Sequence, residues 1–246
     1  MSVLKALCRN GIEAHKAELA KSYNNLGLLY SDTEKYKKSI EMYLKAIGMM
    51  EELCRDNPEE YCHYLGISYS NLGVQYYVGK KYTEATEMYE KAIAIGEALR
   101  ENGSEKEISE LARVYNNIGT LYDETAEPEK SEEAYLKSIS IREELAEENP
   151  ESQIPEVATS YMNIGLMYYH YKRLAEAEEM NKKAMAIFSD LCKHNPRAFE
   201  PELARSYNSL GLVYDEMGDK AKAEELYRKS IEIREPLVAK NPQAHR

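Results

Sequence analysis

The chain has 246 residues, of which 30% are charged and 43% hydrophobic, and its formal net charge at pH 7 is −11. With only 8 prolines and 12 glycines, this composition is typical of a folded, helix-rich protein and not of a disordered one. The acidic charge disfavours nucleic-acid binding, because a phosphate backbone is bound by clustered Lys and Arg side chains. No apolar run is long enough to span a membrane.

The cysteines favour a reducing compartment. Cys8, Cys54, Cys62 and Cys192 lie in helical text without a CxxC pair, so separate, partly buried thiols are expected, and a disulfide framework or a zinc site is disfavoured. The apolar stretch at the N-terminus is too short and too interrupted for a signal peptide. The cytoplasm is therefore the expected location.

The most informative feature of the sequence is a repeat of 46 residues. Five glycines share this spacing with no insertion or deletion: Gly27, Gly73, Gly119, Gly165 and Gly211. A tyrosine stands four residues before and three residues after each glycine, and Leu or Ile directly precedes it. Residues with this spacing lie on one face of a helix. The glycine would let a second helix approach closely, and a Ser or Ala twelve residues later would be the matching gap on that helix.

The predicted elements, in chain order, begin with residues 1–12. This segment contains "ALCRN", which matches "ELCRD" one repeat later, so we interpret it as the remnant of a helix from a preceding repeat. Five antiparallel helix pairs follow, at 13–58, 59–104, 105–150, 151–196 and 197–242. In the first pair, the second helix is expected from near Glu34 to near Asp56.

Helix-breaking residues indicate the boundaries. The two helices of a pair are separated at Gly79-Lys80, Pro128 and Gly218-Asp219. Asn-Pro dipeptides end the second helices, because the residue before a proline is pushed out of the helical conformation. They are Asn57-Pro58, Asn149-Pro150, Asn195-Pro196 and Asn241-Pro242. Pro155 and Pro201 are expected in the first turn of the next helix, where proline is tolerated.

The C-terminal repeat has no polar helix after it. Its last helix is therefore expected to expose Leu226, Ile233 and Leu237, which would favour self-association through the terminal helices.

The pattern Tyr-x2-Leu-Gly-x2-Tyr, followed by a small residue and then Tyr four residues later, resembles the tetratricopeptide repeat (TPR). Segments such as "AIAIGEAL" and "SISIREELAEENP" are most similar to its kinesin-light-chain-type subclass, and the resemblance covers residues 13–242. It implies an all-α fold, a right-handed superhelical solenoid of antiparallel helix pairs with five TPR repeats. It also implies that the first helices line the concave side. Such modules serve unrelated systems, so the family indicates the fold more specifically than the function.

On the face expected to line the groove, asparagine recurs two residues before the glycine, as Asn25, Asn71, Asn117 and Asn163, with Ser209 in the last repeat. A primary amide matches the C=O and N–H groups of a peptide backbone, and in similar TPR proteins asparagines at this site hold an extended peptide. The preceding position carries asparagine only in the odd repeats, as Asn24, Asn116 and Asn208, which are weaker candidates for specificity. The alternative is that each asparagine bonds a neighbouring helix.

The predicted groove alternates between charged and apolar repeats. The odd repeats contribute cations, Lys21, Arg113 and Arg205. The even repeats contribute apolar side chains, Val74, Tyr77, Leu166 and Tyr169. This surface would suit a peptide of alternating character whose acidic residues meet the arginines; drift between repeats without meaning for a ligand is the alternative.

No motif of catalysis is found. The sequence has no Gly-rich phosphate loop and no HExxH, and its five histidines are scattered, so neither an enzyme nor a cofactor is expected. We predict a protein–protein interaction module that binds an extended peptide or helix of a partner, with no role in nucleic-acid or membrane binding. The alternative is a structural spacer, self-assembly or sensor region of a larger protein.

Overall fold

The computed structural model describes residues 2–240, with the side chains of residues 11–239, and this part of the chain is helical nearly throughout. The described residues form ten α-helices and no strands. They are α1 (Ser2–Asp32), α2 (Tyr36–Asp56), α3 (Pro58–Val78), α4 (Tyr82–Leu99), α5 (Glu105–Glu124), α6 (Pro128–Glu148), α7 (Pro150–His170), α8 (Leu174–His194), α9 (Pro196–Glu216) and α10 (Lys220–Lys240). The predicted all-α fold is confirmed, and the second helix of the first repeat ends at Asp56 as predicted.

The chain divides into two compact units between Leu121 and Tyr122. In the first unit, α1 packs on α2, α2 on α3 and α3 on α4, and α1 also touches α3. In the second unit, each helix from α6 to α10 packs on the next, and α7 also touches α9. Each unit is therefore built by stacking helices that are neighbours in sequence, as repeat proteins do.

The turn inside each helix pair has the same backbone geometry. The residue seven positions after the repeat glycine has a positive φ in all five repeats: Glu34 (57°), Lys80 (56°), Ala126 (58°), Lys172 (59°) and Gly218 (85°). The predicted breaks at these turns are confirmed. However, Gly79 has an ordinary φ of −76°, and the left-handed conformation falls on the next residue.

The Asn-Pro boundaries are confirmed where the structure describes them. Asn57, Asn149 and Asn195 lie between helices, and the next helix begins at the following proline. Asn241-Pro242 lies outside the described residues. The prediction for Pro155 and Pro201 is wrong, because α7 and α9 already begin at the Asn-Pro proline and leave these two prolines inside the helix.

The N-terminal segment is joined directly to the first repeat. Ser2–Asp32 is one continuous helix, so no break separates residues 2–12 from the part of the helix that carries Gly27. The physical reason lies in the sequence, because Gly11-Ile12 stands where the later linkers have Asn-Pro, and nothing forces the chain out of the helical conformation.

Repeat glycines lie against the aromatic ring sixteen residues later. A Cβ atom added to Gly73 would lie 2.7 Å from the Tyr89 ring, and one added to Gly27 would lie 2.7 Å from the Tyr43 ring. In the fourth repeat Asn181 takes the place of the tyrosine. The predicted close approach of two helices is therefore present, with a tyrosine ring as the group that fills the gap.

The small residues twelve positions after the glycine are buried, and Ser39 donates a hydrogen bond of 2.7 Å from Oγ to the Gly27 carbonyl. This bond ties the first helix of a pair to the second.

Two of the cysteines form a disulfide, so the prediction of separate thiols is wrong for Cys54 and Cys62. The end of α2 and the start of α3 bring their Cα atoms to 4.7 Å, within the range that a disulfide requires. Cys192 is a free, half-buried thiol, as predicted. The side chain of Cys8 lies outside the described residues.

The last helix is more protected than predicted. Leu226 is buried against Leu210 and Tyr214, and Ile233 packs on the core cluster that contains Phe188. The expectation of exposure is therefore wrong for Leu226, because α9 covers this face of α10. The large apolar side chains that α10 does expose are Ile231 and Val238. Among the described residues no helix is both long and apolar enough to cross a membrane.

Candidate binding face of the first helices

The first helices carry an amide and an aliphatic side chain on one face. Asn25 is exposed and lies one turn before Leu28, which is 50% exposed. In the second unit the half-buried Asn163 lies one turn before Leu166, which is 45% exposed. Residues three apart on a helix are surface neighbours, so each amide adjoins an apolar contact.

Two further aliphatic residues share this position. Val74 is half-buried in α3, and Leu212 is 36% exposed in α9. The 46-residue spacing predicts Leu28 and Leu212 on this face, as the equivalents of Val74 and Leu166.

One predicted peptide-binding asparagine bonds another asparagine. Asn71 donates a hydrogen bond from Nδ2 to Oδ1 of Asn24, over 3.3 Å, and so joins α3 to α1. This contact matches the alternative interpretation, in which the amides bond neighbouring helices. Asn117 and Asn116 are half-buried in α5, and Asn208 is exposed in α9. Ligand binding by the asparagines stays a prediction.

The three predicted cations are each paired with a glutamate one turn earlier on the same helix. Lys21 Nζ lies 3.0 Å from Glu18 Oε1. Arg113 Nε donates to Glu110 over 2.8 Å. Arg205 Nη2 lies 2.8 Å from Glu202 Oε2 in the second unit. An acidic ligand would have to compete with these glutamates, although pairs that are in contact with solvent contribute only about 1 kcal/mol or less.

Two of these cations also contact neighbouring helices. Lys21 Nζ lies 4.2 Å from the centre of the Tyr64 ring, and Arg113 donates to Ser70 Oγ over 3.1 Å. They therefore help to hold α1 and α5 against α3.

The predicted aromatic residues are half-buried. The Tyr77 ring lies 6.1 Å from that of Tyr82, at the turn between α3 and α4. Tyr169 packs beside the core cluster of the second unit that contains Ile164 and Met167. Each therefore makes structural contacts, and its role in ligand binding stays a prediction.

A set of hydrogen bonds joins neighbouring repeats and was not predicted from the sequence. The tyrosine four residues before the repeat glycine donates to a glutamate eighteen residues earlier, on the second helix of the preceding repeat: Tyr69 to Glu51, Tyr115 to Glu97 and Tyr161 to Glu143. These glutamates share the 46-residue spacing, which was the signal available in the sequence. Burial and the bond to Glu143 raise the pKa of the Tyr161 phenol.

Family models of the tetratricopeptide repeat match residues 64–144 and 156–235, and a further one matches residues 20–51. No curated protein matches the sequence significantly. The matched segments cover more than half of the chain.

Several solved structures have a similar fold. BtubC (BKLC) from P. vanneervenii has a TM-score of 0.73 and 25% identity, over 90% of this chain and 82% of that one. The apo form of RapI has a TM-score of 0.71 and 21% identity, over 90% of this chain and 72% of that one. A kinesin-light-chain candidate from Podosopora anserina, with nearly identical TPR-like repeats, has a TM-score of 0.69 and 17% identity, over 89% of this chain and 96% of that one. The repeat, the stacked helix pairs and these matches agree, and the chain belongs to the tetratricopeptide repeat family.

Proposed function

We propose that the protein is a non-catalytic interaction module that binds an extended peptide or a helix of a partner protein on the exposed face of its first helices. The observation that carries this proposal is the amide–aliphatic pair, with Leu28 and Leu166 about half exposed next to Asn25 and Asn163. Large aliphatic side chains at the same repeat position, exposed beside polar groups, suit a contact surface.

The asparagine amides and the aliphatic side chains are expected to contribute differently to binding. A hydrogen bond contributes about 1 kcal/mol net, so the amides orient a peptide and contribute little affinity. Burial of a leucine side chain contributes about 2 kcal/mol, so the aliphatic residues supply more of the binding energy. The paired cations Lys21, Arg113 and Arg205 act as weaker contacts for acidic residues.

The test uses peptides selected from a random display library on the full chain, with affinities measured by calorimetry. Leu28→Lys and Leu166→Lys are expected to weaken binding at least tenfold. Leu44→Lys in α2 and Leu136→Lys in α6 are matched controls, because these leucines are 49% and 48% exposed but lie on second helices. Equal losses in the controls, or no selected peptide, would contradict the proposal.

The cytoplasmic location expected from the sequence stays a prediction. The Cys54–Cys62 disulfide argues against it, because disulfides persist mainly in oxidising compartments.

A structural role with self-association is the second candidate, and the exposed Ile231 and Val238 of α10 favour it. Light scattering of the full chain and of Ile231→Lys would distinguish the two. A dimer that this variant dissociates, together with a failed peptide selection, supports the structural role.

A further inference from the structure

A cavity of about 300 Å³ lies between α3, α4 and α5 of the first unit. Its walls are mainly apolar, with Ile67, Ile95 and Val114 among the lining side chains. His63 and Glu107 form a polar section of the wall. The volume is at the lower end of the range typical of small-molecule sites, about 300–1,000 Å³.

The cavity lies where the first unit departs from its own repeat. Gly96 occupies a position that holds Met50 in the first repeat, Arg142 in the third and Phe188 in the fourth. These three side chains are at most 5% exposed, and each fills the space between its second helix and the next first helix. At Gly96 the side chain of Leu111 lies against the helix backbone instead, and both residues line the cavity.

A second glycine enlarges the same space. Gly66 also lines the cavity, at a position where every other repeat has alanine: Ala20, Ala112, Ala158 and Ala204. The linker differs too, because α4 already ends at Leu99 and α5 begins at Glu105 without an Asn-Pro break. Leu99 and Ser104 of this linker region complete the wall.

The polar section of the wall presents the imidazole of His63 and the carboxylate of Glu107. His63 Nδ1 is buried and has no hydrogen-bond partner among the described residues, and it lies 3.4 Å from Glu107 Oε1. The other carboxylate oxygen, Oε2, accepts from the backbone N–H and the hydroxyl of Ser104, over 2.7 Å and 2.9 Å. That bond pattern caps α5 and fixes the carboxylate in place.

The protonation states follow from these contacts. Burial lowers the pKa of His63, which favours the neutral imidazole near pH 7. Burial alone would raise the pKa of Glu107, but the hydrogen bonds from Ser104 lower it, so the carboxylate is ionised. A neutral imidazole carries its proton on one of its two ring nitrogens. In the tautomer with the proton on Nε2, the Nδ1 lone pair faces Glu107 Oε1, and a donor placed between the two atoms satisfies both, so a bound ammonium would select this tautomer.

We infer that this cavity binds a small organic cation, a primary ammonium on an apolar body, whose N–H groups bridge His63 Nδ1 and Glu107 Oε1 while the body lies against Ile67, Ile95 and Val114. Lys106 and Glu110 also line the cavity, but Glu110 is paired with Arg113, and an organic anion at the same position is disfavoured because its charge would lie beside the Glu107 carboxylate. The inference is independent of the proposed peptide binding.

The test uses three indoles of the same shape on the full chain: tryptamine, the neutral tryptophol and the anionic indole-3-propionate. Because the chain contains 0 tryptophans, indole fluorescence anisotropy reports the ligand alone. Tryptamine is expected to bind saturably, tryptophol about tenfold more weakly, and indole-3-propionate not measurably. Absence of saturable tryptamine binding, or equal binding of the anion, would overturn the inference.

Two variants locate the site. Glu107→Gln keeps the shape of the side chain, and glutamine already stands at the equivalent position as Gln153. It should weaken tryptamine about tenfold and leave tryptophol within twofold. Glu87→Gln is the matched control, since this glutamate has the same charge, lies on α4 and is 60% exposed. Equal effects of the two variants would place the ligand elsewhere.

Gly96→Met restores the side chain of the first repeat and should abolish binding of tryptamine and of tryptophol. Circular dichroism must show that this variant is folded, because a Cβ atom at Gly96 would come within 2.7 Å of Leu111. If it fails to fold, Glu107→Gln still decides the outcome. A folded Gly96→Met that binds tryptamine unchanged would overturn the inference.

Discussion

The contact between α4 and α5 in the first unit and that between α6 and α7 in the second occupy equivalent places in the repeat, yet one is open and the other is filled. Gly96 leaves a cavity in the first. In the second, Arg142 is 5% exposed; it donates to the Glu156 carbonyl over 2.9 Å and pairs with the carboxylate of Glu156 over 3.1 Å. The residue at one repeat position therefore differs between the packed contact and the contact that contains a cavity.

The largest loss of stability is expected when the filled contact between α6 and α7 is opened. Arg142→Ala removes buried packing and its bonds to Ser160 and Glu156, and should lower the free energy of unfolding by about 3 kcal/mol. Urea denaturation followed by circular dichroism measures it. Arg228→Ala is the control, since Arg228 is 71% exposed and should change stability by less than about 0.5 kcal/mol.

Arg142→Met separates packing from charge. Methionine fills the equivalent space as Met50, so this variant should lose less than about 1.5 kcal/mol. A loss as large as that of Arg142→Ala would mean that the hydrogen bonds, rather than the filled volume, hold this contact together.

The next effect concerns the contact between α2 and α3, which is held by the disulfide. Cys54→Ser opens a short covalent loop and should lower the free energy of unfolding by about 2–3 kcal/mol. Thermal or urea unfolding of the wild type with a thiol reductant should give the same loss. Cys54→Ser should itself be insensitive to reductant, whereas Cys192→Ser should be nearly neutral and should lose as much stability on reduction as the wild type. A loss without reductant as large as that of Cys54→Ser would contradict this assignment.

A smaller effect tests the tyrosine–glutamate bonds. Tyr161→Phe removes the bond to Glu143 and should cost about 1 kcal/mol. Tyr207→Phe is the control within the same unit, because Ser189 stands where the other repeats have the glutamate, and it should cost clearly less.

The same pair of variants has a pH signature. The pKa of Tyr161 in the folded chain is raised above its ordinary value near 10. The stabilisation that the neutral phenol gives the folded state is therefore complete below about pH 10, and it is lost as the pH rises above this value because the unfolded chain releases the proton first. Tyr161→Phe should therefore flatten the fall in stability at alkaline pH. An unchanged slope would show that the phenol ionises equally in the folded and unfolded chains.

The smallest effect concerns the turns, which are alike in both units. Ala126 has a φ of 58°, which costs an L-residue about 1 kcal/mol, so Ala126→Gly should stabilise the fold by about 0.5 kcal/mol after the entropy of glycine is subtracted. Gly218→Ala should destabilise it by about 1 kcal/mol. Thermal unfolding measures both changes in stability. If the two substitutions changed stability in the same direction, the positive φ at these turns would be contradicted.

Much of the fold could be predicted because its causes are local. The glycine–tyrosine spacing identifies a helical face, and the Asn-Pro pairs identify where α2, α6 and α8 end. The wrong predictions concern residues whose place depends on where a helix begins or on which other helix covers it. Pro155 lies inside α7 because that helix begins five residues earlier, and Leu226 is buried because α9 covers it.

The candidate site could be predicted only in outline. The sequence identifies which residues share the face of the first helices, because side chains three or four apart are neighbours on a helix. It does not reveal that Asn71 bonds Asn24, or that Arg113 bonds both Glu110 and Ser70. These contacts depend on how closely one helix approaches another.

The sequence by itself determined the repeat, the helix pairs and the family, since each follows from residue spacing and local backbone preference. Only the tertiary structure decided which cysteines are bonded and whether the missing side chain at Gly96 leaves open space. Cys54 and Cys62 are eight residues apart, and only the packing of α2 against α3 brings their Cα atoms to 4.7 Å. The physical reason is the same in both cases, because a bond or a cavity depends on distances between helices that no local pattern specifies.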